Sequence, residues 1–293
     1  MPATILTESF DGPLAKQLGR ARADAIAVNW LGQAGFVVEA GSARVVIDPY
    51  LSDSLEAKYR GSVTPHDRMM PPPVTIEELG DVDFVLLTHH HTDHMDPGTL
   101  MPLARLRPRA RFVAPRASRE EALRRTGANE DRLILMDAGE TLSPLPGIRI
   151  TALRAAHETL ERDANGCFRF LGYGLTIELP GKKPVALVHT GDTIPFEGQR
   201  DEIARLKPDL LMAPVNGRSA QLAALGIAGN LTLDEAVDLA ASAAAPAMIA
   251  HHHGMFAFNT TPLSTIEAKA ADPARPIRLL PARLGMEVRL KPT

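Results

Sequence analysis

Residues 88–94, with the sequence THHHTDH, directly follow the apolar run DFVLL at residues 83–87. Such a run predicts a buried strand, and a strand delivers the residues at its end to a fixed place in the fold. In an extended segment His89 and His91 point to one face and His90 points to the other. Two imidazoles that share a face at the end of a buried strand predict a metal site.

Asp93 and His94 follow on the turn after this strand, where they can face a second ion. Histidines and a carboxylate at this spacing therefore predict two neighbouring metal sites. Paired metal ions are typical of hydrolytic enzymes, in which they generate a hydroxide and polarise the substrate. Asp93 could orient that hydroxide and accept its proton, so we expect Asp93 to be a catalytic residue as well as a ligand.

Further candidate ligands also lie at the ends of predicted strands. His157 follows the run at 150–156 and supplies the third imidazole that a site with two histidines needs. Asp192 follows a buried run and a tight glycine turn, where its two oxygens suit a bridge between two ions. The triplet at 251–253 follows the apolar run 247–250. Strand alternation alone does not decide which of these three histidines points inward.

Three other residues are candidates for roles outside the ligand set. Asp48 precedes a proline and either caps a turn or accepts a hydrogen bond from a ligand imidazole, and we favour the second role. Asn216 and Arg218 follow a predicted strand and are candidate substrate-binding residues. An arginine there either holds a substrate carboxylate or phosphate in a bidentate manner or lies on the surface beside a glycine turn.

Composition limits the class of protein. Cys167 is the single cysteine of the 293 residues, which excludes an intrachain disulfide and a multi-cysteine zinc site. Metal ions must then be held by nitrogen and oxygen, which suits manganese, zinc or iron. The net charge of −3 argues against a nucleic-acid partner, and no apolar run approaches the roughly 18 residues of a membrane span. We expect a cytoplasmic protein with a small-molecule substrate and no membrane partner, and a homo-oligomer is compatible with this composition.

The order of predicted elements favours one α/β domain over residues 1–293. Residues 1–24 are expected to form an N-terminal extension, a helix is expected at 15–25, and short strands are expected at 25–31, 36–40 and 43–47. Residues 50–75 lack a pattern and are expected to form a surface loop or lid. Strands and helices alternate from residue 84 onward, which predicts two packed sheets with helices outside and excludes a regular (β/α)₈ barrel.

These segments, in this order, resemble those of the metallo-β-lactamase superfamily over nearly the whole chain. The resemblance implies a four-layer αβ/βα sandwich with a dinuclear metal site at the edge between the two sheets. It also implies two divalent metal ions per chain, manganese or zinc. The implied ligands are His89, His91 and His157 for the first ion, Asp93, His94 and His252 for the second, and Asp192 as the bridge.

Residues 30–36 (WLGQAGF), 47–51 (IDPYL) and 252–256 (HHGMF) resemble the L-ascorbate-6-phosphate lactonase-like group within this superfamily. The last of these segments selects His252 from the histidine triplet. Members of the group are bacterial, cytoplasmic and often oligomeric, and they include manganese-dependent lactonases. The resemblance therefore implies a hydrolase that uses a metal-bridging hydroxide on a lactone or a related small carboxylic or sugar-phosphate ester.

Several other activities are alternatives for a chain with these candidate metal ligands. A phosphodiesterase acting on RNA or a phospholipid-like substrate is one alternative, although the sequence offers no basic groove. A thioester hydrolase of the glyoxalase II type is another. A di-iron oxygen or nitric oxide reductase is less favoured, because those relatives carry a glutamate where this chain has His91. A non-catalytic binding protein is also less favoured, because the ligand set is complete.

Overall fold

A computed structural model describes residues 2–20 and 24–293, and within them the strands form one sheet of eight and one of seven. The strands are β1 Thr4–Ser9, β2 Ile26–Gly32, β3 Gly35–Ala40, β4 Ala43–Ile47, β5 Phe84–Leu86, β6 Arg111–Pro115, β7 Leu133–Met136, β8 Thr141–Leu145, β9 Ile148–Arg154, β10 Leu171–Ile177, β11 Val185–His189, β12 Leu210–Pro214, β13 Ala247–His251, β14 Arg278–Pro281 and β15 Met286–Lys291. The helices are α1 Ser54–Tyr59, α2 Pro97–Leu106, α3 Arg119–Thr126, α4 Gln199–Arg205, α5 Ala220–Ala224, α6 Leu233–Ser242 and α7 Leu263–Ala271. None of these helices combines the length and the apolar character that crossing a bilayer requires.

The strand order brings several carboxyl ends to one edge of the molecule. The eight-stranded sheet has the order β1-β15-β2-β3-β4-β5-β6-β7, and the seven-stranded sheet has the order β14-β13-β12-β11-β10-β9-β8. Strands β4 to β7 are parallel to one another, and so are β11 to β14. Strand β10 is antiparallel to both β9 and β11, so β9 and β11 run in the same direction. The segments that follow β9, β11 and β13 therefore emerge on the same side.

Both faces of each sheet are buried, which explains why the central strands are apolar at consecutive positions. On β3, Val38 packs between the two sheets, whereas its neighbour Val37 packs toward α2. On β11, Leu187 packs between the sheets, whereas Val188 faces the layer that contains α4, α6 and α7. The layers are helix, sheet, sheet, helix, so the αβ/βα sandwich implied by the family resemblance is confirmed.

Three elements differ in detail from the sequence-based expectations. In place of a helix from 15 to 25, the structure has a single 3₁₀ turn at Leu14–Lys16, and residues 21–23 lie outside the described residues. Strand β1 was not predicted, and it pairs with β15 from the other end of the chain. The segment 50–75 contains α1, and its buried Tyr50 packs against residues that follow β13.

Candidate metal centre

The predicted ligand segments meet at one edge between the two sheets. They follow β5, β9, β11 and β13, whose carboxyl ends the topology places together. Two hydrogen bonds tie the sheets at this edge. The backbone N–H of Leu171 donates to the carbonyl oxygen of Thr88 at 3.0 Å, and the Tyr173 hydroxyl donates to that of Leu87 at 2.9 Å. The histidine-rich turn is therefore held by both sheets.

The structure brings all seven predicted metal ligands into one cluster. Within each of three sets, one ligand-type atom per residue lies within 4.8 Å of the others. The sets are His89, His91 and His157; Asp93, His94 and His252; and His89, His94 and Asp192. The first two sets correspond to the two sites that the resemblance implied.

Asp192 lies between these two sets of residues. Its Oδ2 atom is 3.5 Å from Nε2 of His157, which belongs to the first set. The same oxygen is 3.3 Å from Nε2 of His94 and 3.1 Å from Nε2 of His252, which belong to the second set. A carboxylate that contacts ligands of both sets is placed as a bridging ligand would be.

Three buried polar atoms of the cluster indicate whether a pair of cations fits between the ligands. Nε2 of His89, Nε2 of His94 and Oδ1 of Asp192 are buried and have no hydrogen-bond partner among the described residues. Buried polar atoms without partners are costly unless a charge or dipole satisfies them. A cation between these atoms would satisfy all three. Five imidazoles and two carboxylates also form a donor set suited to divalent ions that accept nitrogen and oxygen ligands.

The imidazoles of the two sets differ in their charge. Burial lowers the pKa of His89 and His157, and it lowers the pKa of His91 to about 3. These rings are therefore neutral at pH 7 and present a free lone pair. In the second set burial also lowers the pKa of His252, but the charge of Asp192 and hydrogen bonds to the carboxylates outweigh it and raise the pKa to about 9. Metal binding to the second set therefore has to displace protons.

The backbone shows why His252 is the inward residue of the histidine triplet. His252 has a φ of +60°, so it breaks the alternation of β13, and its N–H donates to the carbonyl oxygen of Gln33 at 2.9 Å. The His251 ring stacks on His189 with centroids 4.8 Å apart, and the His253 ring stacks on Trp30 at 5.2 Å. Neither His251 nor His253 belongs to the ligand cluster.

Two residues behind the ligands hold Asp93 and His94 in place. Oδ2 of Asp48 lies 2.7 Å from Nδ1 of His94, and Oδ1 accepts the N–H of Thr88 at 2.8 Å. Nε2 of Gln33 donates to Oδ2 of Asp93 at 2.8 Å. The role of Gln33 was missed from the sequence, although Gln33 lies in the segment 30–36 that carries the family resemblance. Both Asp48 and Gln33 have positive φ, at 42° and 50°, and strained backbone of this kind clusters at functional sites.

The two predicted substrate-binding residues both form hydrogen bonds with other side chains of the protein. Asn216 accepts a hydrogen bond from Nδ2 of Asn230 at 3.0 Å, and Asn230 also donates to Oδ2 of Asp192 at 3.0 Å. Asn216 therefore contacts the cluster through Asn230, a residue that sequence reasoning missed because no local pattern marks it. The Arg218 guanidinium is engaged by both carboxylate oxygens of Glu235 at 2.6 Å, and Arg218 does not line the cavity above the metal cluster.

A cavity of about 280 Å³ opens above the cluster, and Asp93, Asp192, His91, His157 and His252 form part of its lining. Other lining residues come from the segment around α1, from Phe256 to Asn259, and from 226–228. Lys58 and Arg125 are its two cationic residues. Arg125 is already engaged by Glu121 and by the Thr92 hydroxyl, whereas the Lys58 ammonium lies 4.9 Å from the centroid of the Tyr59 ring. Lys58 is thus a cation of the cavity lining that sequence reasoning missed.

Comparisons with known proteins agree with this geometry. Residues 43–253 match the family model described as the beta-lactamase superfamily domain. The chain belongs to the metallo-β-lactamase superfamily. The matched region begins at β4 and ends with the histidine triplet, so it contains every residue of the ligand cluster.

Curated relatives and solved structures resemble this superfamily member at moderate identity. An uncharacterized protein of Mycobacterium tuberculosis is 34% identical over 126 residues, and the chain spans about a third of that protein's length (32%). A UPF0173 metal-dependent hydrolase of Polaromonas sp. is 27% identical over 204 residues, which cover 65% of this chain and 66% of the relative. An N-acyl-phosphatidylethanolamine-hydrolyzing phospholipase D of Caenorhabditis elegans is 33% identical over 86 residues, 29% of this chain and 23% of that enzyme.

The fold is also similar to that of an isothiocyanate hydrolase from Delia radicum gut bacteria. The TM-score is 0.70 at 18% identity, with 89% of this chain and 98% of that chain covered. At this identity the likeness concerns the fold alone.

Proposed function

We propose that this chain is a metal-dependent hydrolase that acts on a lactone or a related small carboxylic ester. The observation that carries the proposal is Asp192, whose Oδ2 contacts histidines of both ligand sets at the floor of a small cavity. The similarity to relatives named as metal-dependent hydrolases supports it. The small size of the cavity supports a small-molecule substrate.

A pair of divalent ions, manganese or zinc, would activate water as a nucleophile and polarise the carbonyl of the ester. Asp93 would orient the attacking water and accept its proton at Oδ1, because Gln33 already engages Oδ2. Burial raises the pKa of Asp93, but His94 and His252 lower it by more, so the carboxylate is ionised and can accept a hydrogen bond from water. Lys58 would attract an anionic product or substrate group to the cavity.

A phosphodiesterase acting on a phospholipid-like substrate is the second candidate, and the match to the C. elegans phospholipase D favours it. The cavity volume of about 280 Å³ argues against it, because this volume is slightly below the roughly 300–1,000 Å³ that small-molecule sites occupy. A lipid with two acyl chains would extend far beyond the cavity. The carboxylic ester therefore remains the better fit.

The test is hydrolysis by protein loaded with Mn²⁺ or Zn²⁺, measured on a panel of lactones, carboxylic esters, thioesters and bis-p-nitrophenyl phosphate. We expect turnover of lactones or esters and a loss of at least about 100-fold in kcat for Asp93→Asn, because proton transfer typically contributes this much. Asp67→Asn is the control, because Asp67 is exposed and lies outside the ligand cluster. Turnover of the phosphodiester alone would overturn the proposal.

A further inference from the structure

Four aromatic side chains form a continuous wall of the cavity, named here the aromatic wall. They are Tyr59, His66, Phe256 and Phe258. The His66 ring stacks on Tyr59 with centroids 4.2 Å apart. It also meets Phe256 edge-on at 4.9 Å and Phe258 edge-on at 4.8 Å. His66 is thus the centre of the wall, and three rings fix its position.

The polar edge of His66 is used within the protein. Its Nδ1 lies 2.7 Å from the carbonyl oxygen of Thr64 and donates to it, and burial lowers the pKa of the ring. The ring is therefore neutral and contributes its aromatic faces to the wall, and Nε2 is its remaining polar atom. Phe256 is buried and Phe258 is half-buried, and both pack with Tyr50 and Leu55 in a small apolar cluster.

Leu55, Ile227 and Ala228 extend the apolar side of the cavity beside the wall. The polar lining residues include Asn259 and Lys58, and the Lys58 ammonium lies 4.9 Å from the centroid of the Tyr59 ring. Hydroxyl groups placed against the faces of the four rings would lack hydrogen-bond partners there, which is costly. A hydrocarbon or aryl substituent would instead gain favourable ring contacts there.

We infer that the substrate is a lactone or ester with a compact apolar substituent, and that the aromatic wall selects this substituent against polyhydroxylated sugar derivatives. The inference rests on the proposed function, because it places the scissile carbonyl near Asp93 and the substituent against the wall. A cavity of about 280 Å³ holds a single ring or a short alkyl chain beside the ester group.

The test compares three lactones of the same ring size: γ-phenyl-γ-butyrolactone, γ-butyrolactone and D-ribono-γ-lactone. We expect kcat/KM of the wild-type protein to be highest for the phenyl lactone, by about tenfold or more over the unsubstituted one, since filling an apolar pocket is worth this much. Phe258→Ala should remove most of this preference, measured as the ratio of kcat/KM for the phenyl lactone to kcat/KM for γ-butyrolactone. Phe258→Leu, which keeps an apolar side chain, should give an intermediate result.

Phe10→Ala is the matched control, because Phe10 is also half-buried but packs against the core beneath α2. It should leave the preference unchanged. A second readout does not need turnover: calorimetric binding of the lactams 5-phenyl-2-pyrrolidinone and 2-pyrrolidinone to the metal-loaded protein. The phenyl lactam should bind more tightly, and Phe258→Ala should remove the difference.

The outcomes separate the inference from the proposed function. Equal or better turnover of D-ribono-γ-lactone, or an equal effect of Phe258→Ala on all three lactones, would overturn the inference while the hydrolase proposal stands. Selective binding of the phenyl lactam without hydrolysis of any lactone or ester would support the aromatic wall as a binding surface and overturn the hydrolase proposal.

Discussion

Nε2 of Gln33, which lies in the turn between β2 and β3, donates a hydrogen bond to Oδ2 of Asp93 at 2.8 Å, and Asp93 lies in the turn that follows β5. The same nitrogen lies 3.1 Å from Nε2 of His252, and the carbonyl oxygen of Gln33 accepts the N–H of His252 at 2.9 Å. One residue of a neighbouring turn therefore positions two members of the second ligand set. These hydrogen bonds hold Gln33 in its left-handed backbone conformation.

We expect Gln33→Leu and Gln33→Glu each to lower kcat/KM or metal affinity by about 10–100-fold, which is typical for residues that orient metal ligands. Leucine removes the hydrogen-bond donor, and glutamate replaces it with a negative charge beside Asp93. Metal content by mass spectrometry and steady-state kinetics on a turned-over ester measure the two effects. Full metal occupancy together with unchanged kinetics in both variants would contradict a positioning role for Gln33.

A second prediction concerns Gly191, which precedes Asp192. Gly191 has a φ of +65°, and a Cβ atom there would clash with the carbonyl oxygen of Leu171. Gly191→Ala should therefore lower the free energy of unfolding by about 2 kcal/mol or more and displace Asp192, since it adds a backbone clash to the usual cost of a left-handed alanine.

Gly181→Ala is the control for this variant. Gly181 has a similar φ of +71°, but a Cβ atom there would meet nothing within 4 Å. It should cost only about 1 kcal/mol and leave metal binding intact. Urea unfolding and metal content measure both variants. Equal losses for the two glycines would show that the contact with Leu171 is unimportant.

Removal of metal gives a third prediction. Nε2 of His89 and Oδ1 of Asp192 are buried without hydrogen-bond partners among the described residues, so bound cations should stabilise the fold. At a free Mn²⁺ or Zn²⁺ concentration of 100 times its dissociation constant, the expected gain is about 2.7 kcal/mol. Thermal unfolding before and after removal of metal with a chelator, and after its return, measures the effect. His157→Ala should reduce the gain, and an equal gain in this variant would contradict a site at His157.

Local signals predicted two packed sheets with helices outside and candidate ligands at the strand ends, whereas the four-layer arrangement and the assignment of ligands to two ions came from the resemblance to the metallo-β-lactamase superfamily. In each ligand segment a buried strand is followed directly by histidines or by a glycine turn and an aspartate. Where such strands are parallel, their carboxyl ends meet at one edge of the sheet, and the ligands lie there. The apolar pattern of residues 83–87 and the order of the four ligand segments carried this information.

Other features depend on contacts between residues distant in the chain, which no local pattern encodes. Strand alternation could not select His252 from its neighbours, because the selection depends on a left-handed backbone held by Gln33. Asn230 reaches Asp192 from 38 positions away, and nothing in its surrounding sequence marks it. The aromatic wall likewise joins His66 to Phe256 across two distant loops, one of which was expected to be a patternless lid.

The last prediction concerns Arg218, which the sequence suggested as a substrate-binding residue. The hydrogen bond from Arg218 is the main cause that lowers the pKa of Glu235 from its ordinary value of 4.5 to about 2. A lowered pKa of a carboxyl means that the pair stabilises the fold fully above about pH 4.5 and loses this contribution as the pH falls toward 2. Because both side chains are partly exposed, we expect the contribution to be about 1 kcal/mol or less.

Arg218→Gln should therefore lower the free energy of unfolding slightly at pH 7, and the difference from wild type should shrink between pH 4.5 and pH 3. Its KM should stay within about twofold of wild type, since Arg218 does not line the cavity. Urea unfolding at the three pH values and kinetics at pH 7 test both statements. A large rise in KM without a change in stability would show instead that the guanidinium leaves Glu235 to bind substrate.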